Sequence, residues 1–207
     1  MNQLQPQIDK LAPVIKEAQE KLHAIDWTLL AERGGCEIDQ AGSLRVEFLR
    51  REYVVLKNDF SVCRVDDGAT PSSLIQGLIL TYLYTADGAP LIDRWIGFRE
   101  LPSGLFYASA FQGYTGNELV RDLRGDVAGF QRAGENLRGA ALSIGDAGYA
   151  FTVLPRLRLA VVMWSGDDEF PAQAQVLFEE SAPHYLPTEA LAIVGSLLVG
   201  QIVKAAK

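Results

Sequence analysis

The sequence predicts an α+β fold: a single domain with a largely antiparallel sheet flanked by helices, its N- and C-terminal helices packed on the core. Three observations carry this. Alternating runs of β-branched and aromatic residues arrive in pairs joined by short turns, the usual connection of antiparallel strands. Helical stretches fall in groups between those pairs, without the regular βαβ alternation of a parallel sheet. The 207 residues, 48% hydrophobic and 22% charged, suffice for one core and lie far from a disordered composition.

The chain opens with Leu4, Ile8, Leu11, Ile15, Ala18 and Leu22 at steps of four and three, one helical stripe. Pro13 inside it is expected to kink the helix or to start its second half. Asp26 suits the N-cap of a second short helix ending at Gly34-Gly35. Residues 1–35 therefore read as a helical segment ahead of a core spanning 36–207.

The period then changes to two. Leu44, Val46 and Phe48 alternate with charged residues, and Tyr53 to Leu56 is rich in strand formers. Arg50-Arg51 between them predicts an antiparallel pair. Phe60 to Val65 repeats the alternation and is closed by the turn Asp66-Asp67-Gly68. Thr70 and Pro71 predict a helix start with proline in the first helical position, and the apolar run to Thr85 predicts a buried helix. Arg94 to Phe98 reads as a short strand entering the loop Arg99–Gly104, followed by Phe106, Tyr107, Phe111 and Tyr114. The glycine-interrupted stretch from Gly116 to Leu142 predicts two short helices. Tyr149–Leu154 and Leu157–Trp164 are the clearest strands, and Pro155-Arg156 leaves room only for a hairpin. A further strand is expected over Ala174–Phe178, and Thr188 as the cap of a last helix with Leu191, Val194, Leu197, Leu198 and Ile202 inward.

Composition excludes several functions. A formal net charge of -7 argues against a nucleic-acid partner, because phosphate binding needs a concentrated basic face. Arg45, Arg50 and Arg51, and again Arg121, Arg124, Arg132 and Arg138, are interspersed with acids and read as solvated faces. The apolar runs Leu74–Leu83 and Leu191–Val203 are interrupted short of the roughly 20 residues a membrane span takes, so no membrane partner is expected. The polar start of the chain does not resemble a signal peptide, and a cytoplasmic protein is expected. Cys36 and Cys63 cannot furnish the four thiolates of an internal iron–sulfur cluster, and zinc would also need both His23 and His184. Two buried, reduced thiols are expected instead. No GxGxxG, GxxxxGK[ST] or GxSxG motif is present.

Two segments concentrate chemistry. Trp164-Ser165-Gly166-Asp167-Asp168-Glu169-Phe170-Pro171 places three carboxylates directly after a buried strand. Such acids could serve acid/base work or bind a hard cation; they could equally form a capped turn docked on arginine. In the second segment Arg94, Trp95, Arg99 and Glu100 stand beside aromatics, with Tyr107 close behind. Arginine there could clamp a carboxylate or phosphate while a ring stacks on a planar ligand, or Arg99 could pair with Asp168 or Glu169. His184 stands alone between elements, where a solvent-facing or core role is the default.

The order of motifs resembles an uncharacterised prokaryotic family, "domain of unknown function 3786". The residues carrying the resemblance are Leu80-Thr81-Tyr82-Leu83, Trp95 through Gly104, Leu154-Pro155 before a hydrophobic strand, Trp164 through Pro171, and Leu177-Phe178 leading to Tyr185-Leu186-Pro187-Thr188-Glu189. The resemblance implies a cytoplasmic domain of anaerobic bacteria and archaea. Some relatives carry a cysteine-rich iron–sulfur module similar to that of corrinoid iron–sulfur proteins. This chain lacks those cysteines, so any cluster would belong to an iron–sulfur or corrinoid protein partner.

The expected function is a small-molecule-binding or accessory module, linked through the family to corrinoid, tetrapyrrole or one-carbon metabolism. Its ligand residues are expected to be Arg94, Trp95, Arg99, Glu100, Tyr107, Trp164, Asp167, Asp168, Glu169 and His184. The alternatives are an enzyme, a metal-assisted hydrolase or group transferase using Asp167, Asp168 or Glu169 with His184, and a structural partner of an iron–sulfur redox protein.

Overall fold

Asp26 does what its position demands: Oδ1 accepts from Thr28 N at 2.9 Å and Leu29 N at 3.1 Å, starting helix α2 (Trp27–Gly34). Gly35 then ends it in the left-handed region at φ 62°. The structure is a computed structural model that describes residues 5–207, with side chains from Pro13 onward. Helix α1 (Gln5–His23) continues across Pro13, and Ala18 and Leu22 of the predicted stripe are buried; Leu4, Ile8 and Leu11 lie outside the described side chains.

The described residues form two compact units. The first runs through Pro90 and includes Leu154–Arg156 and His184–Leu186. It contains α1, α2, a four-stranded sheet and helix α3 (Ser73–Thr85). The strands are β1 (Glu37–Ile38), β2 (Leu44–Phe48), β3 (Arg51–Val55) and β4 (Val62–Arg64), in order β1-β2-β3-β4 and antiparallel throughout. The turn between β2 and β3 holds Leu49 and Arg50 at φ 47° and 67°, the positive values a two-residue hairpin needs to match strand twist. Trp27 packs on Phe60 and donates to Gly42 O at 3.0 Å, tying helix to sheet. Helices α1 and α2 pack on α3, which is buried along Gly77–Leu83. α3 starts after Ser72, two residues beyond the predicted Pro71; Gln76 Nε2 instead donates to Pro71 O at 2.9 Å.

The second unit comprises Leu91–Val153, Leu157–Pro183 and Pro187–Lys207. Its five-stranded sheet has the order β5-β9-β8-β7-β6. These strands are β5 (Trp95–Gly97), β6 (Ala140–Leu142), β7 (Ala147–Leu154), β8 (Leu157–Trp164) and β9 (Gln173–Glu179). The predicted hairpin joins β7 to β8, and β8 is central, with Leu159 through Met163 fully buried. The fold is α+β as predicted, with two antiparallel sheets rather than one.

Helices α4 (Ala108–Tyr114), α5 (Gly116–Leu123), α6 (Val127–Asn136) and α7 (Thr188–Ala205) complete this unit. α5 packs on β9, α6 on β8, and α7 on α5 and α6. The predicted helix pair over Gly116–Leu142 is α5 and α6, but Ala140–Leu142 leaves the helix to become the edge strand β6. Helix α4 was not predicted, although Tyr107, Phe111 and Tyr114 stand at the i, i+4, i+7 spacing of one helical face. α7 is long and apolar enough to cross a membrane by length and composition. Here ten of its residues are buried in the unit. Thr188 is its first residue rather than its cap, and the hydroxyl donates to Pro102 O at 2.7 Å.

Candidate functional site

Strand β5 ends at Gly97 because the chain turns into a 3₁₀ turn, Phe98–Glu100. Glu100 Oε2 accepts from Gly97 N at 2.6 Å and fixes that turn, so Glu100 serves the backbone. Phe98 is buried, stacked on Phe111 with ring centroids 4.2 Å apart, while the next residue, Arg99, is turned outward and exposed.

Arg99 lines an open cleft of about 660 Å³. The end of β8 contributes Trp164, the following turn contributes Ser165, Phe170 and Pro171, and β9 contributes Gln173 to Val176. Helix α4 closes the opposite wall with Ala108, Ser109, Phe111 and Gln112. Arg99 makes no hydrogen bond or ion pair with any described residue. Gln112 Nε2 donates to Ala174 O at 2.9 Å and fastens α4 to β9. The lining thus holds one guanidinium, three amides, two serine hydroxyls and aromatic rings; among the described residues it holds no carboxylate and no imidazole.

The acidic turn is built by its first carboxylate. Asp167 Oδ1 accepts from Glu169 N at 2.9 Å and Phe170 N at 2.7 Å, and Asp167 N donates to Phe170 O at 2.9 Å. Those backbone donors hold the Asp167 carboxyl below the ordinary range. Asp168 and Glu169 are exposed, and neither lines the cleft. Neither pairs with Arg99. Upstream, Asp146 Oδ2 accepts from Ser165 N at 2.7 Å and from the Ser165 hydroxyl, anchoring the turn to the start of β7.

The structure therefore brings Arg99 and Trp164 to one cleft and spreads the other sequence-predicted residues. Arg94 is an exposed residue clamped by Glu180 through both Nε and Nη2. Trp95 is half-buried beneath the guanidinium of Arg158, 5.8 Å from its ring centroid. Tyr107 lines a separate groove on the other side of α4. His184 belongs to the first unit, where Nδ1 pairs with Asp87 at 2.7 Å.

Sequence reasoning missed Gln112, Gln173 and Gln175. A signal was available for the last two, since exposed Gln173 and Gln175 alternate with buried Ala174 and Val176 along β9. Gln112 was missed together with α4, on which it stands.

Elsewhere, Cys36 and Cys63 are free and partly exposed rather than fully buried. Burial pushes the Cys36 thiol up to about 12 against the pull of nearby Arg156, which keeps it protonated and unreactive. No group of three or more His, Cys, Asp or Glu poised to hold a metal ion occurs among the described residues. Of the basic groups, Arg45 pairs with Glu52, Arg51 with Asp66, Arg121 with Glu118 and Asp122, and Arg132 with Asp126.

The fold and cleft define an α+β protein with an open, mixed polar and aromatic pocket. The chain belongs to the family described as "Domain of unknown function (DUF3786)", whose model matches residues 26–201. No curated protein and no solved structure matches it.

Proposed function

We propose that this chain is a small-molecule-binding module whose cleft takes a flat ligand bearing a carboxylate or phosphate. The observation that carries this is Arg99, a guanidinium without a partner among the described residues, in a cleft walled by Trp164 and Phe170. A volume of about 660 Å³ falls in the range of about 300–1,000 Å³ typical of small-molecule pockets. The guanidinium fork suits bidentate recognition of a planar anion, and the rings suit stacking on a flat body. Gln173, Gln175 and Ser109 supply orienting hydrogen bonds. A lining without carboxylate or imidazole supports binding over general acid/base chemistry.

The ligand class to test first is a corrinoid or other tetrapyrrole, which rests on the family resemblance, as does a cytoplasmic setting beside an iron–sulfur or corrinoid partner. Ultraviolet–visible and mass spectra of natively purified protein identify the ligand, and quenching of Trp164 fluorescence reads its affinity. Arg99→Ala removes charge-assisted bonds worth about 1.5–3 kcal/mol, so affinity is expected to fall by about 10- to 150-fold with little change in melting temperature. Unchanged affinity beside a large loss of stability would show that Arg99 holds the fold and not a ligand.

A further inference from the structure

Four residues follow one another along the Arg99 cleft, and three of them carry polar side chains without a hydrogen-bond partner among the described residues. Gln173 lies directly across the β8–β9 ladder from Trp164, so both side chains leave the same face with Cβ atoms about 4.5–5.5 Å apart. Gln175 shares that face two residues on, about 7 Å along the strand. A Cβ placed on Gly97 would come within 3.7 Å of Gln175 Nε2, so this amide reaches the end of β5, two residues before Arg99. The order is therefore ring, amide, amide, guanidinium. Neighbouring strands stand about 4.8 Å apart, so the row crosses roughly 10 Å from β8 over β9 to the line of β5. Two other polar side chains of the lining are already engaged. Gln112 Nε2 donates to Ala174 O at 2.9 Å and Asn117 Oδ1 at 3.1 Å, and the Ser165 hydroxyl donates to Asp146.

We infer that the ligand of this cleft is a mononucleotide, its base stacked on Trp164 with a hydrogen-bonding edge against Gln173 and Gln175, and its phosphate on Arg99. The inference rests on the anion site proposed for Arg99 and names the body to which that anion is attached. A primary amide offers a donor and an acceptor in one plane, the pattern that the edge of a base presents in return, and glutamine pairs with adenine in this way. Bases stack on aromatic side chains through a face that every base has, which suits the indole at the head of the row. A hydrocarbon body would strip water from both amides and give them no partner in exchange. Arg99 is the one charged residue of the described lining, and one guanidinium matches one phosphate. A polyphosphate or a nucleic acid brings further negative charge that this lining does not balance, in a chain of net charge -7.

Isothermal titration calorimetry of the full chain at fixed ionic strength tests it, with AMP, GMP, CMP and UMP, the matching nucleosides, and ribose 5-phosphate as probes. Wild type is expected to bind at least one of the four nucleotides, with its nucleoside and ribose 5-phosphate each weaker by about tenfold or more. Gln173→Val and Gln175→Val are each expected to weaken the preferred nucleotide by about 3- to 10-fold. Both should leave ribose 5-phosphate binding and the circular dichroism melting curve unchanged. Arg99→Ala is expected to weaken the nucleotide and ribose 5-phosphate together and to leave the nucleoside unchanged. Nucleotides that bind no better than ribose 5-phosphate, or that ignore both glutamine substitutions, overturn the inference, while ribose 5-phosphate binding that still depends on Arg99 leaves the anion site standing. A nucleoside that binds as tightly as its nucleotide, with no effect of Arg99→Ala, overturns the anion site and the inference with it. No binding of any of the four nucleotides overturns the inference alone, since the anion site is then decided by Arg99→Ala on the natively bound ligand.

Discussion

Glu179 is the side chain whose loss should damage the second unit most. It sits on β9 at 1% exposure, and its two oxygens are fully used. Oε1 accepts from Ile92 N at 2.6 Å and Asp93 N at 2.9 Å, while Oε2 accepts from Ser181 N at 2.9 Å and from the Ser181 hydroxyl. The carboxylate therefore ties the segment leading into β5 to the segment leaving β9. Glu179→Ala leaves three backbone N–H groups without their acceptor, each worth about 1–3 kcal/mol if it stays dry. Ile92 and Asp93 are exposed enough to regain water, so the net cost is expected near 3–5 kcal/mol. At about 2–4 °C per kcal/mol for a chain of this length, that lowers the calorimetric melting temperature by about 10 °C. Glu179→Gln keeps the acceptor facing Ile92 and Asp93 but turns an NH₂ toward the Ser181 donors, and is expected to lose about half as much. A drop under about 2 °C for Glu179→Ala would refute the clamp. Equal losses for both variants would refute the division of labour between the two oxygens.

Tyr82→Phe is expected to cost about 1–3 kcal/mol, because the buried hydroxyl donates to Gly34 O at 2.6 Å and accepts from Arg156 N at 3.0 Å. Chemical denaturation reads this, and a neutral substitution would show that water replaces the phenol. His184, by its hydrogen bond above all, holds the Asp87 carboxyl below its ordinary value. A depressed carboxylate adds stability that is present above its unfolded value and lost as pH falls through the folded one. The pair is half exposed, so His184→Ala is expected to cost under about 1 kcal/mol at neutral pH and to move the Asp87 titration upward by NMR. Gly104→Ala would drive a Cβ into the Phe98 carbonyl oxygen. It is expected to destabilise by about 1–3 kcal/mol or more and to disturb Trp164 fluorescence through the Arg99 turn; a stable variant with native fluorescence would show that the turn yields freely.

Where a local rule suffices, the structure was legible in the residues. Asp26 and Gly35 bound α2 because capping and left-handed backbone are single-residue properties, and Pro155-Arg156 fixed a hairpin because no longer path fits. Illegible were the features made by distant partners. Nothing in the sequence pairs Glu179 with Ile92 and Asp93, 87 and 86 residues away, or His184 with Asp87. α4 is held by Phe111 stacked on Phe98 and by Gln112 on Ala174, contacts that exist only after β5 and β9 have paired. Because α4 forms a wall of the cleft, Gln112 was missed with it, whereas Gln173 and Gln175 were legible in the alternation along β9.

The two motifs read from the sequence meet, but not as an ion pair. β5 stops at Gly97 and the Glu100 cap turns Arg99 outward. Asp167, bonding its own turn, brings Phe170 and Pro171 to the rim of the same cleft. The acids nearest in the motif are otherwise placed, with Asp167 accepting from backbone and Asp168 and Glu169 in solvent. Arg94, five residues earlier, is already matched by Glu180. A chain with 26 acidic residues against 19 basic ones has carboxylates to spare for every arginine. Arg99 is thus left without an ion pair among the described residues, in a cleft whose described lining holds no carboxylate, and that is the arrangement the proposed anion site calls for.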